Sequence, residues 1–329
     1  MNPTPKAPFP KVSVAMTAYN LEQFIAQAIE SVLMQKTDFS IELVIGEDCS
    51  ADRTRDIVLD FQRRCPQIIR VLLPPKNLGM NRNFVDTIAA CSGKYVALLD
   101  GDDYWIDPNK LQKQVEFLEA NPHCSGCFTR TKVFSECGLP GNYCQPGDNP
   151  EKILYTTEDL INKNQIGCMQ TSSMMFRNVL DNISFDPFLS LSMTDWPLQI
   201  MLSQLGPIGY LNDVMAAYRQ HSGGVWSGRD ATHKLAARLK FWCVLKQVMP
   251  SRYAQPLNER IVKTHQLMAL ELLRKGDRRS SRWHTLQSVR SIPLTRLFGF
   301  RWYVKRSAVL LLGSFMLPLP KVERLLLRM

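Results

Sequence analysis

Tyr95-Val96-Ala97-Leu98-Leu99-Asp100-Gly101-Asp102-Asp103 places an unbroken apolar run directly before three carboxylates and a glycine. A short apolar run of this kind reads as a buried strand, and buried strands belong to sheets covered by helices. Downstream, Pro108 opens a helix that runs to about Ala120, with proline at a favoured first-turn position. Upstream, the same alternation repeats. Val12–Thr17 reads as a strand entering a loop at Ala18-Tyr19-Asn20. Leu21–Gln35 follows with a helical stripe of Phe24, Ile25, Ala28, Ile29, Val32 and Leu33. Ile41–Gly46 is a strand buried on both faces, and Ser50 and Asp52 offer caps for a helix through about Arg64. Ile68–Leu73 is a strand stopped by Pro74-Pro75, Asn77-Leu78-Gly79 is a turn, and Asn81–Cys91 is helical.

Eight alternating elements with short connections predict an α/β fold with a mainly parallel central sheet and right-handed crossovers. Such sheets bind ligands beyond the carboxyl ends of their strands. The polar tips Thr17–Asn20, Glu47–Asp52 and Asp100–Asp103 are therefore expected to face one crevice. Residues 125–225 are less regular, and beyond Asp230 the chain turns helical and basic.

The chemistry concentrates in those tips. Three neighbouring carboxylates at a buried strand end repel one another unless a cation or hydrogen bonds compensate. Hard oxygen ligands suit Mg²⁺ or Mn²⁺, which also bind substrate phosphates; the plain alternative is a solvated acidic turn. In Gly46-Glu47-Asp48-Cys49-Ser50-Ala51-Asp52, capping accounts for Ser50 or Asp52 but not for Asp48. A carboxylate there suits a base N–H or a ribose hydroxyl. No G-x-G-x-x-G follows the first strand, and no G-x-x-x-x-G-K-[ST] occurs anywhere, which argues against dinucleotide oxidoreductases and P-loop NTPases. A phosphate-bearing ligand would then be held by metal and side chains.

The net charge of +10 is unevenly spread. Residues 231–329 hold 20 Lys/Arg against 4 Asp/Glu, and residues 1–230 hold 20 against 26. A mildly acidic body with a basic tail points to a polyanionic partner for the tail. Met1–Pro10 contains four prolines and no secretory signal, so it reads as a flexible arm, and the nine cysteines are expected to be free thiols in a reducing cytoplasm. Cys124 and Cys127, with Cys137 and Cys144 beyond them, make either a zinc set or four small buried hydrophobes.

Val12–Asn20, Glu47–Thr54, Asn77-Leu78-Gly79 and Gly93–Asp103 together resemble the inverting family 2 of glycosyltransferases, densely over residues 11–121 and more thinly to about 228. The resemblance implies a GT-A type fold and a nucleoside-diphosphate sugar donor. It divides the chain into an arm (1–10), a transferase domain (11–228, with halves 11–121 and 122–228) and a helical extension (229–329). Thr17, Ala18, Tyr19, Asn20, Glu47, Asp48, Asn77 and Gly79 match stretches that line the nucleoside pocket. Asp100, Gly101, Asp102 and Asp103 match the DxD cluster. The family's Asp-Asp-Gly-Ser stands here as Glu47-Asp48-Cys49-Ser50, with Cys49 in place of glycine. Asp195, in Met193-Thr194-Asp195-Trp196, lies where the family has its catalytic base, and Thr194 replaces the more usual Glu. As a residue, Asp195 also reads as an N-cap for a helix over Pro197–Gln204. His221, in a Gly-rich loop, matches a late histidine that ligates the metal together with Asp102. Arg219 beside it is a candidate phosphate partner.

In the tail, the apolar run Ser307–Leu319 is too short to span a bilayer. With Trp283, Trp302 and Tyr303 among basic residues it suits a helix lying on the cytoplasmic face of a membrane, and it fits duplex nucleic acid poorly. The alternative is a helical cap packed on protein. The expected acceptor is a glycan or lipid-linked glycan of the cell surface. Competing readings are a metal-dependent nucleotidyltransferase, which would carry a glycine-rich basic signature near its first strand, and a non-catalytic scaffold.

Overall fold

The structure, a computed structural model, describes residues 10–135, 143–146, 152–162, 168–180, 183–226, 228–292, 301–315 and 317–327. All of the expected N-terminal arm except Pro10 lies outside these residues, as does Cys137. The chain forms two compact units that divide between Gly224 and Val225.

The first unit begins with the expected alternation: β1 (Val12–Ala18), α1 (Ile25–Leu33), β2 (Ile41–Glu47), α2 (Thr54–Arg64), β3 (Ile69–Leu72), α3 (Met80–Ala89), β4 (Tyr95–Asp100), a short β5 (Tyr104–Trp105) and α4 (Lys110–Ala120). It continues through β6 (Gly126–Ser135), β7 (Tyr143–Gln145), β8 (Leu154–Tyr155), α5 (Thr157–Asn162), β9 (Met175–Arg177), α6 (Asp195–Leu205) and β10 (Ile208–Gln220). The strands form one sheet in the order β3-β2-β1-β4-β9-β6-β10-β5, with β7 on β6 and β8 on β10. Pairing is parallel from β3 through β4, as the alternation predicts. Beyond β4 the sheet is mixed: β9 runs antiparallel to both neighbours, whereas β6 and β10 are parallel.

The parallel half is held by apolar burial. Val12, Val14, Met16, Leu43, Ile45, Tyr95 and Ala97 pack with Ile25, Ile29 and Val32 of α1 in one core. Register fixes the crevice: Thr17 pairs with Gly46 on one side and with Asp100 on the other, and Ala18 pairs with Glu47. Three loops therefore leave the sheet at one level. Cys124 and Cys127 are core residues, and burial pushes the Cys127 thiol up to about 12, so it keeps its proton. Among the described residues no three His, Cys, Asp or Glu side chains are grouped to hold a metal.

The second unit contains α7 (Ala231–Val248), α8 (Ala254–Arg274), α9 (Arg278–Arg290), α10 (Arg301–Phe315) and α11 (Leu319–Leu327). The apolar run expected at a membrane lies on α10 as far as Phe315, and its last residue, Leu319, opens α11. One face of α10 turns inward: Leu310 packs with Ala269, Leu270, Leu273, Val322 and Leu326. Among the described residues no helix is long and apolar enough to cross a membrane.

Candidate active site

The first two loops are laced together. Asn20 donates its N–H to Ser50 Oγ at 2.9 Å and accepts from the Ala51 N–H at 2.8 Å. Leu21 N–H reaches Thr54 Oγ1 at 2.7 Å, and Glu22 N–H reaches Asp52 Oδ2 at 3.0 Å. Ser50 is thus a loop clasp, while Asp52 Oδ1 accepts from the Thr54 N–H at the start of α2. Glu47 is fully buried; its carboxylate accepts from Ser50 N–H at 2.7 Å and from Arg55 Nε at 2.6 Å, which shapes the loop from within. Cys49, where the resemblance expects glycine, takes φ +56° in the left-handed region, and Asn20 takes φ +54°. Asparagine tolerates this conformation; a cysteine there is strained by about 1–2 kcal/mol.

Asp48 ties in the third piece. Its carboxylate, 2% exposed, accepts from the N–H groups of Leu78 at 2.6 Å and Gly79 at 2.9 Å, while Asn77 Nδ2 donates to its carbonyl at 2.8 Å. Gly79, at φ +83°, supplies the turn into α3. Tyr19 stands half exposed at the rim. Asn81 then crosses to the later part of the unit: its Nδ2 lies 2.8 Å from the Leu189 carbonyl and 2.5 Å from that of Leu191. Those carbonyls belong to the loop leading to Asp195.

The acidic cluster sits at the end of β4. Thr17 Oγ1 donates to Asp100 Oδ1 at 3.2 Å, and Gly101 N–H donates to the Thr17 carbonyl at 3.0 Å. A Cβ on Gly101 would stand 2.9 Å from the backbone oxygen of Thr17 and 2.8 Å from Ile25 Cδ1, closer than the main chain of β1 can accommodate without shifting. Burial first, then the charges of Asp102 and Asp195, push Asp100 up to about 7. Asp103, almost fully buried, is raised further by burial and by its two aspartate neighbours. Burial also raises the phenol of Tyr218, and all four aspartates push it the same way, which shows that they share one neighbourhood.

His221 is buried rather than exposed on its loop. Its Nε2 lies 3.1 Å from Asp102 Oδ2, and its ring centroid lies 4.7 Å from that of Phe24. Arg219, the candidate phosphate partner, is engaged with the acidic loop. Its N–H donates to Asp103 Oδ1 at 2.9 Å, its Nε to the Asp102 carbonyl at 3.0 Å, and its Nη2 to Gln27 Oε1 at 2.6 Å. The guanidinium is packed among Phe24, Tyr104 and Phe134. It therefore braces the acidic loop, with its main-chain N–H, Nε and Nη2 committed to protein acceptors.

Asp195 is the first residue of α6, one position inside the cap held by Thr194, which makes no side-chain capping bond. Burial raises its carboxyl to about 6 against the pull of nearby backbone N–H groups. Sequence reading missed the buried polar chain behind the cluster. Trp105 Nε1 donates to the Ser172 carbonyl at 2.8 Å, Gln114 Nε2 to the Ser173 carbonyl at 2.9 Å, and Lys110 Nζ to Gln114 Oε1 at 2.6 Å. The only sequence signal for it was the polar run Thr171-Ser172-Ser173 between apolar stretches.

Comparison with known proteins agrees with this architecture. The structure is similar to that of TarS 1–349 from S. aureus in complex with UDP-GlcNAc, at a TM-score of 0.62 and 16% identity over 92% of this chain and 90% of that one. It is also similar to the mannosyltransferase PcManGT from Pyrobaculum calidifontis in complex with GDP-Man and Mn²⁺, at a TM-score of 0.55 and 13% identity over 94% and 86%. These likenesses establish a GT-A type fold. The sequence is 34% identical to an uncharacterized Mycobacterium tuberculosis protein over 70% of this chain, and spans 63% of the length of that relative. It is 32% identical to the Escherichia coli UDP-Glc:alpha-D-GlcNAc-diphosphoundecaprenol beta-1,3-glucosyltransferase WfgD, over 54% of this chain and 64% of that protein. The profile of Glycosyl transferase family 2 matches residues 13–184, and with that match over more than half its length the chain belongs to this family.

Proposed function

We propose that the chain is an inverting glycosyltransferase that moves a sugar from a nucleoside-diphosphate donor to a hydroxyl of a lipid-linked or cell-surface glycan, working on the cytoplasmic face of a membrane. The observation that carries the reading is the meeting of the Asp48-held loop, the Asp100–Asp103 cluster and His221 at one sheet edge, with Asp195 within electrostatic reach. The UDP-GlcNAc complex of TarS, the GDP-Man complex of PcManGT and the UDP-Glc in WfgD's name support the donor class. WfgD's diphosphoundecaprenol acceptor supports the lipid-linked one.

The donor set fits a divalent cation: a carboxylate and an imidazole already lie 3.1 Å apart beside further carboxylates, where burial first and then the charges of Asp102 and Asp195 raise Asp100. Asp102 and His221 would hold Mg²⁺ or Mn²⁺, which when bound neutralises charge on the diphosphate. The chain's own residues do the rest. Asp48, its loop partners Asn77 and Gly79, and the Thr17–Asn20 segment with the exposed Tyr19 ring form the nucleoside pocket. Glu47 keeps that pocket in shape. Asp195, ionised above about pH 6, takes the proton of the acceptor hydroxyl as its oxygen attacks the anomeric carbon. The bond from that carbon to the diphosphate breaks on the opposite face, which inverts the centre.

The test is a binding and turnover screen with UDP-, GDP- and dTDP-sugars in Mn²⁺, Mg²⁺ or EDTA, run beside Asp102→Asn. Metal-dependent binding of one nucleotide class, lost in the variant, is expected. A folded protein that binds no nucleotide and no metal would refute the reading in favour of a scaffold.

A further inference from the structure

We infer that the membrane-facing surface is the outer face of α9 together with the exposed Leu312 and Phe315 at the adjoining end of α10, and not the whole of the apolar run Ser307–Leu319; this rests on the reading that the enzyme works at a membrane. The apolar run commits its inward face to protein, since Leu310 lies in the core and Ser307 and Ser314 are buried. On α9 the inward side is polar. Ser281 Oγ donates to the Ala269 carbonyl at 2.8 Å, His284 Nδ1 lies 2.9 Å from His265 Nδ1, and Ser288 Oγ meets Ser307 Oγ at 2.8 Å. The large apolar side chains of α9 point the other way: Trp283 is 53% exposed, Leu286 48% and Val289 47%. Their spacing of three residues puts them on one side of the helix. A helix that turns serines inward and tryptophan outward has its apolar face ready for something beyond the unit.

The face continues onto α10. Arg282 of α9 stacks 4.8 Å from the Phe315 ring and donates toward the Ser314 carbonyl at 3.4 Å. Phe315 is 58% exposed, and Leu312, one turn before it, 54%. Charge selects the occupant. Arg279 and Arg290 lie on the exposed side of α9 beside Trp283 and Leu286. Neither α9 nor α10 contains an acidic residue, whereas α9 carries four arginines and α10 two arginines and a lysine. Exposed aromatic and aliphatic side chains interleaved with arginines, with no carboxylate among them, complement a bilayer surface of anionic lipid.

The experiment is co-sedimentation of the full chain with vesicles of phosphatidylcholine alone or with about one-third phosphatidylglycerol, at low and high salt. Two variants accompany it, Trp283→Ser/Leu286→Ser and Arg279→Gln/Arg290→Gln, each checked by thermal melting and by donor binding. All four side chains are at the surface, so both variants are expected to fold and to bind donor. Wild type is expected to bind the anionic vesicles in a salt-sensitive way. An arginine at such a surface is worth roughly five-fold in partitioning, so the charge variant is expected to lose about 25-fold. The apolar variant is expected to lose about ten-fold or more. If wild type binds anionic vesicles and both variants bind equally well, this face is wrong while the membrane reading stands. If wild type binds no vesicle, both fail. Self-association, or salt-sensitive duplex DNA binding, abolished by the same variants without vesicle binding would assign the face to another partner and overturn the proposal.

Discussion

Lys110 is fully buried, its ammonium facing Gln114 Oε1 at 2.6 Å and the Trp105 ring at 4.3 Å, and among the described residues no carboxylate is in hydrogen-bond contact with it. Burial lowers its pKa from 10.5 to about 7. At 1.36 kcal/mol per unit, keeping a proton on this lysine costs the folded state about 5 kcal/mol, to order of magnitude. The folded pKa is depressed, so the unfolded chain binds more protons between about pH 7 and 10.5. The cost is therefore fully present below 7 and fades as pH rises to 10.5. Lys110→Met removes the cost but leaves Gln114 Oε1 buried without its donor, a loss of about 1–3 kcal/mol. The net expectation is a variant more stable than wild type by roughly 2–4 kcal/mol at pH 6. It is expected to match wild type near pH 9 and to be less stable by about 1–3 kcal/mol at pH 10.5. Denaturant melts of both proteins at four or five pH values read this directly, because other titrating groups cancel in the difference. A stability difference that stays constant with pH, or a variant less stable at pH 6, would refute the reasoning.

Three further predictions concern the site. The Asp195 carboxyl is raised to about 6, so the turnover rate is expected to fall about ten-fold per pH unit below that value and to level off above it. Asp195→Asn is expected to lower kcat by roughly 10²–10⁴ and to abolish this acid limb, while the melting temperature at pH 7 and above holds or rises, since a buried carboxyl no longer has to ionise; a surviving limb would assign the base elsewhere. His221→Ala is expected to raise the Mn²⁺ concentration for half-maximal donor binding by ten-fold or more, read by titration calorimetry, while an unchanged metal requirement would remove His221 from the ligand set. Cys49→Gly relieves a φ of +56° and loses thiol contacts to the Pro74 carbonyl and Arg55. A gain of about 1 kcal/mol is expected in urea melts, and a loss of stability would mean that those contacts outweigh the strain.

The first half of the sheet was legible because its signals are local. Val12–Ala18, Ile41–Glu47 and Tyr95–Asp100 are short apolar runs between helical stripes, and parallel topology alone brings their polar ends together. The later half was not legible, because β6 pairs with β10 across some eighty residues of sequence and β9 enters between β4 and β6 from a stretch with little periodicity. Lys110 and Gln114 carry no sequence signal of burial; in the structure Gln114 reaches the Ser173 carbonyl and Lys110 reaches Gln114. Arg219 stands beside a candidate metal ligand and reads as a phosphate partner, yet the three rings around it come from widely separated elements. The run Ser307–Leu319 shows the limit of hydropathy, since apolarity does not say whether lipid or α8 will cover a side chain.

Asn81 grips the loop at 188–191 through main-chain carbonyls and not through side chains. Phe188 and Leu191 bury their side chains beside that grip, so the loop's course rests on them and on Asn81 together. Ser192 is exposed and is not part of the grip. A mutant library randomised at Ser192 can diversify the surface leading to Asp195 while Asn81 keeps its hold on the loop. This makes the segment a natural starting point for redirecting which acceptors the protein accommodates.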